Sequence, residues 1–144
     1  MRRLALAIVA LLAATQIAAA QADIVVLGFQ GRMPNAYGRL MLAKDGSLER
    51  IVEAKDATPQ ELANPLCNSG VMAFRGGLIL SLLDRIGNRN AKGEYYLTDA
   101  VEIARGDGHR IAVEICPEDE VMGVNDRVQL ARTEALMQGR LREA

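Results

Sequence analysis

Residues 37–54 read YGRLMLAKDGSLERIVEA. Two apolar-rich runs flank Asp45-Gly46, and both turn residues tolerate positive φ. Such a pair between apolar runs predicts a tight β-hairpin. A hairpin commits this part of the chain to a sheet, and the remaining segments must add to that sheet or cover it. DIVVLGF, from Asp23, is a β-branched run that predicts a buried strand, and CNSGVMAF at 67–74 predicts another. Ile79, Leu82, Leu83 and Ile86 follow helical spacing. Gly76-Gly77 stands at the start of that helix and Gly87 in the place of a C-terminal cap. Asp99, with Glu102 three residues on as its capping partner, predicts a second helix. Asp107-Gly108 turns the chain into the strand HRIAVEI, and Asp126 with Gln129 opens a last helix. Residues 55–66, with Pro59 and Pro65, and the polar stretch GNRNAKGEYY read as loops. The order predicts a layered α/β domain. Its first strand has no obvious neighbour, so the sheet looks incomplete.

Composition narrows the function. A net charge of −1 without any basic block argues against a nucleic-acid partner. Cys67 and Cys116 match no metal spacing, and the one histidine, His109, supplies neither a zinc site nor a Ser-His triad. There is no G-x-G-x-x-G and no G-x-x-x-x-G-K. The acidic run Glu118-Asp119-Glu120 reads as a solvated face. The first 22 residues combine a basic start, an apolar run and an A-Q-A triplet, the parts of a secretory signal peptide; the alternative is an alanine-rich helix packed on the sheet. The strongly apolar part, residues 4–14, is too short to span a membrane.

The remaining signal lies in polar segments of unusual specificity: AYGRL (36–40), IVEAKDATP (51–59), CNSGV (67–71), NAKGEYYLTDA (90–100) and EVMGVNDRVQLAR (120–132). In this order and spacing they resemble the bacterial N-acetylglucosamine-1-phosphate uridyltransferases, the pyrophosphorylase domain of the bifunctional enzyme that makes UDP-N-acetylglucosamine. The resemblance runs from about Asp23 to about Arg132. It implies a partial Rossmann-like nucleotidyltransferase sheet carrying a β-hairpin insertion. The activity implied is transfer of a uridylyl group from UTP to the sugar 1-phosphate, with release of pyrophosphate, in cell-wall precursor synthesis.

Residue by residue, the resemblance implies that Gly38 lets the backbone approach the sugar and that Glu53 accepts from sugar hydroxyls. Asn68 would read the sugar through its amide, which both donates and accepts. Tyr96 and Thr98 would line the same pocket, and Asn125 would be a magnesium ligand. Each position also has a plainer reading. Gly38 fits a strand irregularity, Glu53 with Lys55 an exposed pair, Asn68 a partner for a neighbouring backbone group, and Asn125 a helix cap. Arg39, Lys55 and Lys92 are open on sequence grounds.

In that family an N-terminal half precedes the DIVVLGF-like strand. It carries the Gly-rich nucleotide loop, a phosphate-binding lysine, the uracil-reading residues and an aspartate that shares the magnesium. None has a counterpart in these 144 residues, so the nucleotide-binding half is expected to be missing. Residues 23–144 are then the sugar-binding half, inactive alone or dependent on a complementing N-terminal chain. The other reading is a non-catalytic sugar-nucleotide module. Implied ligands are UDP-N-acetylglucosamine or N-acetylglucosamine 1-phosphate, and open sheet edges predict self-association. The resemblance places the chain in the cytoplasm, where UTP is, with Cys67 and Cys116 as free thiols; the first 22 residues on their own favour export.

Overall fold

A computed structural model describes residues 21–124 and 126–143. Five strands form one sheet in the order β3-β2-β4-β1-β5. They are β1 (Ile24–Gln30), β2 (Arg39–Leu42), β3 (Leu48–Val52), β4 (Leu66–Phe74) and β5 (Ile111–Ile115). The first strand is not short of neighbours. β1 lies between β4, antiparallel, and β5, parallel. Both partners come from far along the chain, so no local pattern could reveal them. Flanked on both sides and covered on both faces, β1 buries six of its seven residues, which is why its sequence shows no polar alternation.

The hairpin forms as β2 and β3, with a register shift between Met41 and Leu42. Gly46 alone takes positive φ, at 81°, and Asp45 instead accepts the Ser47 N–H at 3.0 Å. The turn is therefore not one with both central residues left-handed. Residues 55–66 are not wholly loop. Pro59–Leu62 form the one-turn helix α1. Thr58 Oγ1 accepts the Glu61 N–H at 3.3 Å, and Glu61 Oε2 accepts the Thr58 N–H at 2.8 Å. This capping box, with Pro at the first helical position, was present in the sequence as TPQE.

Helix α2 (Leu78–Leu83) starts from Gly77, whose φ is 82°. It stops at Asp84, short of Gly87, which does not cap it. Two further turn bonds, Arg85 N–H to Leu82 O and Ile86 N–H to Leu83 O, carry Ile86 back into the core. Helix α3 (Asp99–Gly106) has Thr98, not Asp99, at its N-cap, and no side chain caps it. The Asp99–Glu102 capping pair therefore does not form; the Thr98 hydroxyl is drawn to a tertiary partner described below. The acidic run forms the short helix α4 (Glu118–Val121), with Glu120 paired to Arg140 at 3.1 Å. Helix α5 (Arg127–Arg142) begins at Asp126, whose Oδ1 accepts the Gln129 N–H at 2.7 Å, and it buries no residue.

The core joins Ile24 and Val26 of β1, Leu40, Leu48 and Ile51 of the hairpin, Leu82 and Ile86, and Ala100, Val101 and Ala104 of α3. Cys67 and Cys116 are free thiols. Among the described residues no helix is long and apolar enough to cross a membrane. Residues 1–20, on which the signal-peptide and alanine-helix readings rest, lie outside the described residues.

Candidate functional site

Local departures from the ladder open the site. Along β1 and β4, Val26 faces Met72 while Gly28 faces Asn68, so β4 carries the extra residues of a bulge. The Asn68-Ser69-Gly70 triplet supplies the bonds that the ladder loses. Ser69 Oγ donates to Leu27 O at 2.7 Å and accepts the Val71 N–H at 3.1 Å. Asn68 Oδ1 accepts the Gly70 N–H at 3.1 Å, and Gly70 takes φ 83°, where a side chain would be strained. The Gly70 N–H fixes which end of the Asn68 amide is oxygen. Among the described residues nothing occupies the Asn68 Nδ2, which is left to donate to the adjoining cavity.

That cavity has a volume of about 600 Å³. Gly38, Glu53, Asn68, Tyr96 and Thr98 all line it, together with Tyr37, Tyr95, Lys55, Lys92 and Gly123. The five positions expected to bind substrate come from four separate segments of the chain and line one cavity. Thr98 Oγ1 donates to Glu53 Oε1 at 2.9 Å, holding the carboxylate from behind. This is the partner that takes the Thr98 hydroxyl away from the helix cap. The second oxygen, Glu53 Oε2, turns towards Gly38, where a Cβ would sit 3.5 Å from it. Neighbouring protein atoms would tolerate that Cβ, at 3.4 Å from Ile51 and from Val52 O. The fold does not demand glycine there; a side chain would instead take up cavity space beside the carboxylate.

Asn68 and Gly38 are also tied to each other, Asn68 N–H donating to Gly38 O at 2.8 Å. Asn68 does satisfy a neighbouring backbone group, Gly70, but only through its oxygen. Glu53 is half-buried and bonded to Thr98, so it is not an exposed partner of Lys55. Lys55 instead faces Lys92: contact with that second ammonium, then its charge, lowers the Lys55 pKa from the ordinary lysine value. Tyr96 lies near Asp56, and desolvation first, then the Asp56 carboxylate, raises its phenol. Burial, then Glu102, Glu53 and Asp56, raises the Asp99 carboxyl behind the cavity.

Tyr37 closes the other end. Its ring packs edge-on against Phe29 with centroids 4.9 Å apart, and its hydroxyl accepts the Gly123 N–H at 3.3 Å. This bond brings Gly123 to the cavity. Asn125 itself, the expected magnesium ligand, lies outside the described residues. Capping of α5 is done by Asp126, so helix capping does not account for an asparagine before it. Among the described residues no group of three or more His, Cys, Asp or Glu side chains could hold a metal ion. A larger cleft of about 930 Å³ lies beyond Tyr37, between α5 and residues 32–37, and holds none of the five positions.

The fold is that of a nucleotide-sugar pyrophosphorylase. It matches the crystal structure of the nucleoside-diphosphate-sugar pyrophosphorylase from Vibrio cholerae RC9 with a TM-score of 0.62, over 81% of this chain and 48% of that one, at 17% sequence identity. No protein-family model matches the chain. Among individual proteins it is 61% identical over 120 residues to the bifunctional protein GlmU of Rhizobium rhizogenes, covering 83% of this chain and 26% of the relative. It is 57% identical over 123 residues to GlmU of Azorhizobium caulinodans, covering 85% and 27%. The chain is thus a relative of part of GlmU, within its pyrophosphorylase domain, and it spans about a quarter of the length of the curated relatives it matches.

Proposed function

We propose that the chain forms the sugar-binding side of a uridylyltransferase site that makes UDP-N-acetylglucosamine from UTP and N-acetylglucosamine 1-phosphate. The observation that carries this reading is the convergence of Gly38, Glu53, Asn68, Tyr96 and Thr98 on one cavity, with a carboxylate oxygen and an amide N–H left for a ligand. In the reaction, an oxygen of the sugar phosphate attacks the α-phosphorus of UTP. One P–O bond forms, the bond to the β-phosphate oxygen breaks, and pyrophosphate leaves. The work of these residues is positioning. Glu53 Oε2 accepts from ring hydroxyls, Asn68 Nδ2 donates, Gly38 leaves room beside them, and the Thr98 hydroxyl keeps Glu53 from swinging away. Holding two reactants in line is a large share of catalysis in phosphoryl and nucleotidyl transfer.

The Gly-rich nucleotide loop is not among these residues, so the nucleotide side must come from chain outside this sequence or from a complementing polypeptide. Magnesium belongs with that side too. It would supply charge neutralisation at the phosphates, with Asn125 as its one candidate ligand here. A reaction that consumes UTP places the protein in the cytoplasm. The second reading, a sugar-nucleotide-binding module without catalysis, is favoured by the same cavity taken alone.

Isothermal titration with UDP-N-acetylglucosamine tests the pocket. Binding that disappears in Asn68→Ala and Glu53→Ala, with unchanged circular dichroism, is the expected result; no heat at millimolar ligand overturns the sugar site. Magnesium-dependent pyrophosphate release should appear only when a polypeptide carrying the nucleotide loop is added. Release by this chain alone would overturn the dependence, and binding without release from the mixture leaves the module reading.

A further inference from the structure

The chain has three tyrosines, two phenylalanines and no tryptophan, and all five rings lie among the described residues. Phe29 is buried, Tyr37 packs edge-on against it, and Phe74 and Tyr96 are half-buried. Tyr95 alone is exposed, at 73%. Among the described residues its side chain has neither a hydrogen-bond partner nor a ring contact. The exposure is not that of a loose loop. On one side, Asn90 Oδ1 accepts the Lys92 and Glu94 N–H at 3.1 Å, Asn90 Nδ2 donates to Glu94 O, and Asp56 Oδ1 accepts the Ala91 N–H at 2.7 Å. On the other, Tyr96 O accepts the Asp99 N–H and Leu97 O the Ala100 N–H, each at 3.1 Å. The backbone is therefore fixed immediately before and after Tyr95, and it sets the ring at the sugar cavity, which Tyr95 lines. The polar groups of that cavity, Glu53 Oε2 and Asn68 Nδ2, can serve hydroxyls but offer nothing to carbon-bound hydrogens.

We propose that Tyr95 is the stacking residue of this site, its ring lying against the C–H face of the sugar whose hydroxyls Glu53 and Asn68 hold. The proposal rests on reading the cavity as a sugar site. A pyranose carries hydroxyls around its edge and carbon-bound hydrogens on its faces, so hydrogen bonds alone leave a face in water. An aromatic face is apolar and electron-rich. It attracts C–H bonds, and the contact sheds water from both surfaces. Ligand pockets pair a few placed polar groups with aromatic walls in this way. A tyrosine has only two side-chain torsions, so on a fixed backbone it loses little freedom when a ligand docks. Stacking makes the flat face of the ring, as well as its hydroxyl pattern, part of what the site selects.

The test is calorimetric titration of the whole chain with N-acetylglucosamine 1-phosphate, which has no base of its own to stack. Wild type is compared with Tyr95→Ala, Tyr95→Phe and Asn68→Ala, and the urea midpoint of each is measured. Tyr95→Ala should bind about tenfold more weakly. Its midpoint should be unchanged, since the exposed ring supports nothing in the free fold. Tyr95→Phe, which keeps the ring, should restore the affinity. Ligand should also change the tyrosine emission of wild type, which no tryptophan masks, and most of that change should be lost in Tyr95→Phe. Wild-type affinity in Tyr95→Ala, the result expected if chain from the nucleotide side covers the ring instead, overturns the stacking. So does a loss that Tyr95→Phe does not restore, or an emission change that persists undiminished in it. In each of these cases, binding abolished by Asn68→Ala leaves the sugar site standing. If Tyr95→Ala weakens binding but Asn68→Ala does not, the hydroxyl-holding scheme fails and the ring contact stands. No heat in wild type at millimolar ligand overturns the two together.

Discussion

Arg39 shows how a single residue can be invisible in sequence and decisive in the fold. It is fully buried, and its side chain touches backbone rather than a carboxylate. Nε donates to Leu62 O at 3.3 Å, one terminal nitrogen to Tyr37 O and the other to Asn35 O at 3.5 Å. One guanidinium thus ties the end of α1 to the segment that presents Tyr37 and Gly38 to the cavity. Arg39→Met keeps much of the volume but leaves these carbonyls without donors, so it should cost about 2–4 kcal/mol. Arg39→Lys should recover less than half, since an ammonium cannot reach the same fork of acceptors. Chemical denaturation reads both, and a loss below about 0.5 kcal/mol for Arg39→Met would show that the carbonyls find other donors. In sequence Arg39 stays open, because nothing local announces the Leu62 carbonyl, 23 positions away in the chain. Thr98 was obscured for a related reason. Thr98 and Asp99 are both good caps, and only Glu53, 45 positions away in the chain, decides what the hydroxyl does. Gly38, Glu53 and Asn68 were legible as members of specific motifs. That the free oxygen of Glu53 and the free nitrogen of Asn68 meet one cavity was not.

Elements were legible where the pattern is local. The hairpin, β4 and the start of α5 carry their signals within a few residues, and they form. Helix α2 ends early because Ile86 reaches the core from a turn as well as it would from a helix, and spacing alone cannot separate the two. The joins between elements depend on Asp23, at the entry to β1. Its carboxylate accepts the Arg110 N–H at 3.0 Å, pairs with Arg75 at 3.1 Å and lies 3.4 Å from His109 Nδ1. It thereby pins the ends of β4 and β5 to β1. The Arg110 N–H first, then Arg75 and His109, hold its pKa below the ordinary aspartate value. A carboxylate depressed in the folded state adds stability above its unfolded pKa, about 3.9, and that stability fades as pH falls through the lower folded value. Asp23→Asn should therefore cost about 1–2 kcal/mol at pH 7, with the gap from wild type closing once pH drops below the ordinary aspartate range. Urea midpoints across that range measure it. A gap that stays constant would mean the amide side chain, not the lost charge, is responsible.

At the scale of the whole molecule the sheet is unevenly closed. β4 is paired with β1 along most of its nine residues, but on its other side β2 meets it only at Arg39 opposite Cys67. Among the described residues no strand covers residues 69–74 on that side. Val71 is 45% exposed there, and Leu80 on α2 is 69% exposed. An unpaired edge beside apolar surface is a template for another strand. In this chain on its own, a second copy is the available partner. Sedimentation velocity should then show association that grows with concentration. Val71→Lys, which puts a charge on the edge without touching the buried core, should shift the population towards monomer. A wild type that stays monomeric and monodisperse at high concentration and melts cooperatively would show that the edge is already satisfied. The tendency to associate would then have to be dropped, while the cavity, which Ser69, Gly70 and Met72 of that same stretch help to line within one chain, would stand unchanged.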